Sequence, residues 1–129
     1  MNRLWALRRP GFVVYALTLV TLTHWPALTL PEGSPPRSDL YIHTIAFGLW
    51  TGMLIATGWL GEPGSRRSIV LGLIVGAVYA AADELTQGIP VLRRYVALSD
   101  LLANWSGVLV ACGAWLLIAR WRRLYAQDQ

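Results

Sequence analysis

Four long apolar runs constrain the fold of this chain more than any other feature of its sequence. They cover residues 11–30, 40–60, 68–88 and 98–119. A helix needs about 20 apolar residues to cross the hydrocarbon core of a bilayer, because it rises about 1.5 Å per residue. The sequence therefore predicts an all-α fold, a four-transmembrane-helix antiparallel bundle. The short connections between the runs leave no room for a second unit, so the whole chain, 1–129, is predicted to be a single domain.

Composition separates this chain from soluble and nucleic-acid-binding proteins. It is 55% hydrophobic and 14% charged, whereas a soluble domain carries roughly 25% charged residues. A soluble bundle of very hydrophobic helices is the alternative, but no run has the broad charged face that such a helix needs. No basic patch is interleaved with aromatic residues, which argues against nucleic-acid binding. Cys112 is the only cysteine, so an intrachain disulfide is excluded and a packing role is expected.

The first apolar run has an alternative interpretation as a signal peptide. Arg8 and Arg9 precede it, as the positive region of a signal peptide would. A signal core spans about 7–15 residues and ends at a small-residue cleavage site, and no such site follows a core of that size here. We therefore expect an uncleaved first span.

The distribution of arginine predicts the orientation of the bundle. Four spans place the N-terminal tail, the 61–67 connection and the C-terminal tail on one side, and these segments hold eight of the eleven arginines. Arg37, Arg93 and Arg94 are on the other side. Short cytoplasmic loops carry an excess of Lys and Arg, so both termini are predicted to be cytoplasmic.

Small residues recur at four-residue spacing within the runs. The pairs are Gly48 with Gly52, Gly72 with Gly76, and Ala103 with Gly107. Such spacing lets helix backbones approach closely. We interpret these pairs as packing sites inside the bundle, with a homodimer face as the alternative.

Most polar side chains fall at the predicted external end of the spans. They are His24, Asp39, His43, Asp83, Glu84, Gln87, Asp100 and Asn104. Asp39 and His43 are four residues apart, so His43 lies about 6 Å deeper on the same helix face. Glu84 likewise lies about 4.5 Å deeper than Gln87. Because ionisable groups at this depth are costly, we expect them to face the bundle interior and to be paired.

This pattern predicts one polar pocket at the external end, lined by three helices and covered by the 88–97 loop. Arg93 and Arg94 lie in that loop, against the general distribution of arginine. A functional need for at least one of them there would explain the exception.

Purely structural roles stay open for several of these residues. Asp39 and Asp100 each follow a serine at the start of a span, where a carboxylate stabilises the helix N-terminus. His43 could be a core histidine that hydrogen-bonds Asp39, and Glu84 could form a structural ion pair with Arg94. Each of these interpretations needs no ligand.

Three further polar residues have structural interpretations of their own. Asp83 is adjacent to Glu84 and points in another direction, which favours a solvated position at the membrane interface. His24 precedes Trp25 and Pro26, and is also expected at the interface. Asn104 could serve only to bridge helices by hydrogen bonds.

The ordered set of polar motifs resembles the VanZ-like family of small bacterial membrane proteins. The matching stretches are DLYIH at 39–43, DELTQ at 83–87 and RYVALSDLLANWSG at 94–107. Together they span about 70 residues with the family's spacing. The spacing to Asp100 favours Arg94 over Arg93 as the family arginine. One departure is the Asp-Leu at the start of the first stretch, where many relatives have Asp-Lys.

The resemblance implies a multi-pass protein of the bacterial inner (plasma) membrane. It also implies an association with resistance to glycopeptide antibiotics, teicoplanin in particular. The family supplies a topology and a set of residues, and no defined reaction.

The first functional hypothesis is an external site for an anionic amphipathic ligand. Lipid-linked wall precursors, phospholipids and lipoglycopeptides all fit such a site. Arg94 would hold a phosphate or carboxylate in a bidentate manner. The other binding residues would be Asp39, Gln87, Asp100 and Asn104, and Glu84 with His43 would form an acid–base pair if a reaction occurs.

Three alternatives belong to other classes. A divalent cation could bind Asp39, His43, Glu84 and Asp100, although no zinc-like signature supports it, and no cofactor is expected. A non-catalytic accessory subunit of a membrane complex would use the polar residues only to fix helix register, and homo- or hetero-oligomers stay open. A channel or transporter fits poorly, because the inner halves of the spans offer no continuous polar path.

Overall fold

The structure, a computed structural model, describes residues 3–26, 33, 35–92 and 95–127. Four α-helices account for most of this part of the chain: α1, Arg3–Thr23; α2, Ser38–Ala56; α3, Arg66–Gln87; and α4, Leu98–Gln127. A short 3-10 turn, Pro90–Leu92, lies between α3 and α4. The described residues contain no strand. The predicted all-α fold is confirmed.

The α2–α3 connection is a tight turn built on glycine. Gly58, Gly61 and Gly64 all have positive φ, a conformation that side chains with a Cβ rarely adopt. Ser65 then caps α3, since its hydroxyl accepts a hydrogen bond from the Ser68 amide. The chain therefore reverses direction within a few residues, which brings the end of α2 beside the start of α3.

Side-chain contacts at both ends define an up-and-down bundle. Arg9 Nε donates to the Thr57 carbonyl at 3.1 Å, which joins the start of α1 to the end of α2. At the opposite end, the Thr23 hydroxyl donates to Asp83 at 2.8 Å, which joins the ends of α1 and α3. Arg8 and Arg9, Arg66 and Arg67, and Arg120, Arg122 and Arg123 therefore lie at one end of the bundle, which we call the arginine-bearing end. The buried carboxylates Asp83 and Glu84 lie at the other end, with Arg37.

The closest approach of two helices is the seam between α2 and α4. A Cβ on Gly107 would collide with the Thr44 carbonyl oxygen, and a Cβ on Gly48 would lie 3.2 Å from the Gly107 carbonyl. Further along the seam, Trp115 Nε1 donates to the Gly52 carbonyl at 3.1 Å. Only glycine permits this spacing, so the seam fixes the position of α2 relative to α4.

The other predicted glycine pair packs within the chain as well. A Cβ on Gly72 would lie 2.6 Å from Ile55, and one on Gly76 would lie 2.7 Å from the Thr51 hydroxyl. The packing role of these glycines is confirmed, because the faces they form are already occupied by neighbouring helices of the same chain.

Aromatic rings fill the core between α1, α2 and α3. Trp50 stacks on Tyr79 with centroids 4.4 Å apart, and Phe12 meets the Trp50 edge at 5.3 Å. The Tyr15 hydroxyl donates to the Ala46 carbonyl at 3.0 Å, which ties α1 to α2. Cys112 is buried in this core, as its expected packing role requires.

Three of the helices are long and apolar enough to cross a membrane: Ser38–Ala56, Arg66–Gln87 and Leu98–Tyr125. Large apolar side chains cover the outer surface of the bundle, and Leu17, Ile45, Val78 and Leu117 are each more than half exposed. Large apolar side chains exposed in such number suit a bundle whose outer surface contacts lipid. α1 is not among the three, and the predicted first span extends to residues 27–30, which lie outside the described residues.

Candidate functional site

Polar side chains of α2 and α4 meet just beyond the glycine seam. His43 Nδ1 lies 2.9 Å from Asn104 Oδ1, and His43 Nε2 lies 3.8 Å from Asp100 Oδ2. We call His43, Asp100 and Asn104, together with Glu84 of α3, the α2–α4 cluster. The predicted four-residue spacing of Asp100 and Asn104 does place both on the face of α4 that meets His43.

Both nitrogens of the His43 imidazole are directed at polar groups of α4. The contact with Asn104 Oδ1 requires a hydrogen on Nδ1, because an amide oxygen only accepts. Nε2 faces the Asp100 carboxylate, so the imidazole lies between an amide and a carboxylate of α4. The His43 and Asp100 side chains are only 12% and 19% exposed, so both lie in a largely enclosed position.

Glu84 connects the end of α3 to the start of α4. Its side chain is buried, and Oε1 accepts a hydrogen bond from the Ala97 amide at 2.7 Å. The Ala97 carbonyl in turn accepts from the Asp100 and Leu101 amides, so Ala97 is the N-cap residue, directly before the first residue of α4. Gly88 and Val96 also approach closely across this connection. The sequence predicts that the 88–97 loop covers the polar pocket. The part of this loop that the structure describes next to α4 lies against Glu84.

Two atoms of the α2–α4 cluster have unused hydrogen-bonding capacity. Glu84 Oε2 and Asn104 Nδ2 are fully buried, and neither has a hydrogen-bond partner among the described residues. An unpaired buried polar atom costs about 1–3 kcal/mol. Glu84 Oε2 is an acceptor and Asn104 Nδ2 is a donor, so the cluster has one unused hydrogen-bonding function of each kind.

A second polar group joins α1 to α3, and we call it the α1–α3 cluster: Thr23, His24, Asp83, Thr86 and Gln87. Both oxygens of the buried Asp83 carboxylate are occupied, one by the Thr23 hydroxyl at 2.8 Å and the other by Gln87 Nε2 at 2.9 Å. His24 Nδ1 lies 3.8 Å from Asp83, and His24 Nε2 lies 2.9 Å from the Thr86 hydroxyl.

The prediction that Asp83 is solvated at the interface is wrong, because only 2% of this residue is exposed. Successive helical residues are rotated by about 100°, so Asp83 faces α1 while Glu84 faces α4. His24 is partly exposed, as an interfacial residue would be, but it also contacts Asp83. The polar pair Thr23–His24 at the end of the first run is the sequence signal that could have indicated this cluster.

The structure separates some of the residues that the sequence groups together. Gln87 shares a predicted face with Glu84, yet its side chain donates to Asp83. Asp39 is exposed in the first turn of α2, and the contacts of His43 are with Asn104 and Asp100 instead. The described residues thus do not bring Asp39 into the α2–α4 cluster, and its position suits a helix N-terminal carboxylate.

Arg93 and Arg94 lie outside the described residues. The predicted pairing of Glu84 with Arg94 and the role of Arg94 in anion binding therefore stay predictions. Among the described residues, no group of three or more His, Cys, Asp or Glu side chains is placed to hold a metal ion.

The chemistry available to the α2–α4 cluster is hydrogen bonding and proton exchange. Glu84 is close enough to His43, Asp100 and Asp83 for their charges to interact. Two carboxyl groups and one imidazole of the cluster therefore share a buried end of the bundle, where proton transfer between them and a bound hydroxyl or phosphate group is feasible.

Comparison of the chain with protein-family models, with curated proteins and with solved structures gives no match.

Proposed function

We propose that this chain is an integral membrane protein whose α2–α4 cluster binds or processes an anionic amphipathic ligand of the cell envelope. The observation that carries the proposal is the pair of buried atoms, Glu84 Oε2 and Asn104 Nδ2, which have no hydrogen-bond partner among the described residues. A ligand that supplies one donor and one acceptor would satisfy both.

The proposed topology has four spans, namely α1 in addition to the three apolar helices α2, α3 and α4. Both termini lie in the cytoplasm of a bacterium in this topology. The clustering of arginine at one end supports this orientation, because short cytoplasmic segments are enriched in arginine. The α2–α4 cluster would then open to the external face of the inner membrane. The motifs at 39–43, 83–87 and 94–107 support membership of the VanZ-like family.

The ligand classes follow from the position and polarity of the site. Lipid-linked wall precursors, phospholipids and lipoglycopeptides combine an apolar chain with an anionic or polar head group. Arg94, close in sequence to Ala97, would bind the anionic group of the ligand. Glu84 Oε2 and Asn104 Nδ2 would form hydrogen bonds with hydroxyl or amide groups of the same ligand. If a reaction occurs, Glu84 and His43 would exchange the proton. Sequestration of a wall precursor or a lipoglycopeptide would give tolerance to glycopeptides.

Native mass spectrometry of the protein purified in mild detergent tests this proposal. We expect a discrete co-purifying lipid or anion on the wild type and its loss from Arg94→Ala. The matched control is Arg37→Ala, which removes an exposed arginine elsewhere on the same end and should retain the ligand. An unliganded wild type with an unchanged Arg94→Ala spectrum would contradict the proposal.

The second candidate function is a non-catalytic accessory subunit of a membrane complex. The fully bonded Asp83 favours it, because the α1–α3 cluster shows that buried polar groups at this end can act to fix helix register. The discriminating variants are Glu84→Gln and Arg94→Ala. Loss of complex assembly in these variants would indicate a structural network, whereas intact assembly with lost ligand would indicate a site.

A further inference from the structure

The arginine-bearing end of the bundle contains a groove between the start of α3 and the last turns of α4. Its volume is about 590 Å³. The groove forms because α4 runs for 30 residues, or about 45 Å, and continues alongside the α2–α3 turn. Gly64 lies beside Trp115 and Ala119 of α4, at ordinary van der Waals distance, so the α2–α3 turn packs directly on this part of α4.

The rim of the groove is strongly basic. Three arginines line the groove, Arg66 on α3 and Arg122 and Arg123 on α4. Glu62 is the single carboxylate in this lining. No carboxylate among the described residues forms an ion pair with these three arginines. Arg123 Nε donates to the Ala119 carbonyl at 3.3 Å, which holds this guanidinium beside the groove. The groove therefore carries a net charge of +2, from three arginines and one glutamate.

The floor of the groove is apolar. Ile69, Leu116 and Ala119 line it below the arginine rim. Trp121 and Tyr125 form an edge-to-face pair, centroids 4.8 Å apart, on the same stretch of α4. Aromatic side chains of this kind are typical of the level of the lipid head groups. A basic rim above an apolar floor at that level matches an anionic phospholipid, whose phosphate and acyl chains would contact the two parts separately.

We propose that this groove binds one anionic phospholipid of the leaflet at the arginine-bearing end, through its phosphodiester. Arg66, Arg122 and Arg123 hold the phosphate by charge-assisted hydrogen bonds. Ile69 and Leu116 contact the first carbons of the acyl chain. The site is at the opposite end of the bundle from the α2–α4 cluster and does not depend on what that cluster binds.

Native mass spectrometry of the protein released from nanodiscs tests the proposal, with phosphatidylcholine bilayers that contain a minority of phosphatidylglycerol. We expect the wild type to retain one phosphatidylglycerol and the triple variant R66Q/R122Q/R123Q to retain it at least about tenfold less. The matched control is R67Q/R120Q, which removes two arginines from the same end that do not line the groove. Equal retention by all three proteins, or equal loss from both variants, would overturn the proposal.

Three further measurements make the test independent of folding and of the α2–α4 cluster. Glu62→Gln removes the lining carboxylate and should increase retention of phosphatidylglycerol, and unchanged or reduced retention would count against the site. Millimolar glycerol 3-phosphate should not displace the lipid, and displacement would identify a site for soluble phosphates instead. Glu84→Gln should leave in place the one phosphatidylglycerol that R66Q/R122Q/R123Q loses, so failure here and failure of the proposed function are distinguishable.

Discussion

The two polar clusters lie at the same end of the bundle, and they use adjacent carboxylates in opposite ways. Asp83 has both oxygens bonded, by Thr23 and Gln87. Glu84 has one oxygen bonded to the Ala97 amide and one that is buried without a partner among the described residues. A carboxylate with both oxygens bonded within the chain stabilises the fold, and we assign the second oxygen of Glu84 to the proposed ligand.

The difference arises from helix geometry and not from residue type. Because Asp83 and Glu84 are about 100° apart around α3, one faces the end of α1 and the other faces the start of α4. α1 presents a hydroxyl and an imidazole at this level, Thr23 and His24. The start of α4 presents a backbone amide, which can satisfy only one carboxylate oxygen.

The largest effect should come from separating α2 and α4, which would dismantle only the α2–α4 cluster. Gly107→Ala places a Cβ against the Thr44 carbonyl oxygen, a backbone atom that cannot rotate away. We expect a loss of about 3 kcal/mol in the free energy of unfolding, the upper range for overpacking. Unfolding in a denaturing detergent measures it. Gly113→Ala is the control, because a Cβ there meets nothing within 4 Å. Equal losses of stability in both variants would contradict the close approach of α2 and α4 at Gly107.

A smaller loss of stability is expected when the α1–α3 cluster is broken. Asp83→Ala leaves the Thr23 hydroxyl and the Gln87 amide without their carboxylate partner. The Thr23–Asp83 bond bridges two helices, and such bonds contribute about 0.6–1.7 kcal/mol in membranes. The Gln87–Asp83 bond lies within α3, and its loss leaves a buried amide unpaired at a cost of about 1 kcal/mol, so we expect a total loss of about 2 kcal/mol. The same unfolding assay applies. Asp39→Ala should be close to neutral, and a larger loss in Asp39→Ala than in Asp83→Ala would reverse our assignment of the two carboxylates.

The smallest effect should come from the exposed margin of the α1–α3 cluster. His24→Ala removes the contacts of the imidazole with the Thr86 and Thr23 hydroxyls and the longer contact with Asp83. A net hydrogen bond in such a position contributes about 0.5–1 kcal/mol, and the Asp83 bonds to Thr23 and Gln87 remain. A drop in stability as large as that of Asp83→Ala would show that the imidazole, and not the hydroxyl and amide, supports Asp83.

Much of the fold could be predicted from the sequence, because the lengths of the apolar runs and the spacing of the polar residues can be read directly along the chain. Four apolar runs predict four helices, and the spacing of Asp100 and Asn104 predicts their common face. The glycine spacing predicts close packing, although it does not indicate which helix meets Gly107. That depends on the order of helices around the bundle, which no single run encodes.

The partners of the polar residues are harder to predict, for the same reason. Asp39 and His43 share a face of α2, but His43 lies deep enough to contact α4 whereas Asp39 is still in the exposed first turn. A solvated Asp83 is the natural expectation because no partner is visible near it in sequence. Its partner Thr23 is 60 residues away and on a different helix.

The most direct test of the central claim is the ligand occupancy of folded Glu84→Gln, measured by native mass spectrometry beside the wild type and Asp83→Asn. The carboxamide introduced by Glu84→Gln keeps an oxygen for the Ala97 amide and replaces only the unpartnered Oε2, so the fold should persist while occupancy falls at least about tenfold. Asp83→Asn should lose stability and keep its ligand in the folded fraction. Full occupancy in Glu84→Gln, or loss of ligand only in Asp83→Asn, would contradict the assignment of Glu84 to the ligand and of Asp83 to the fold.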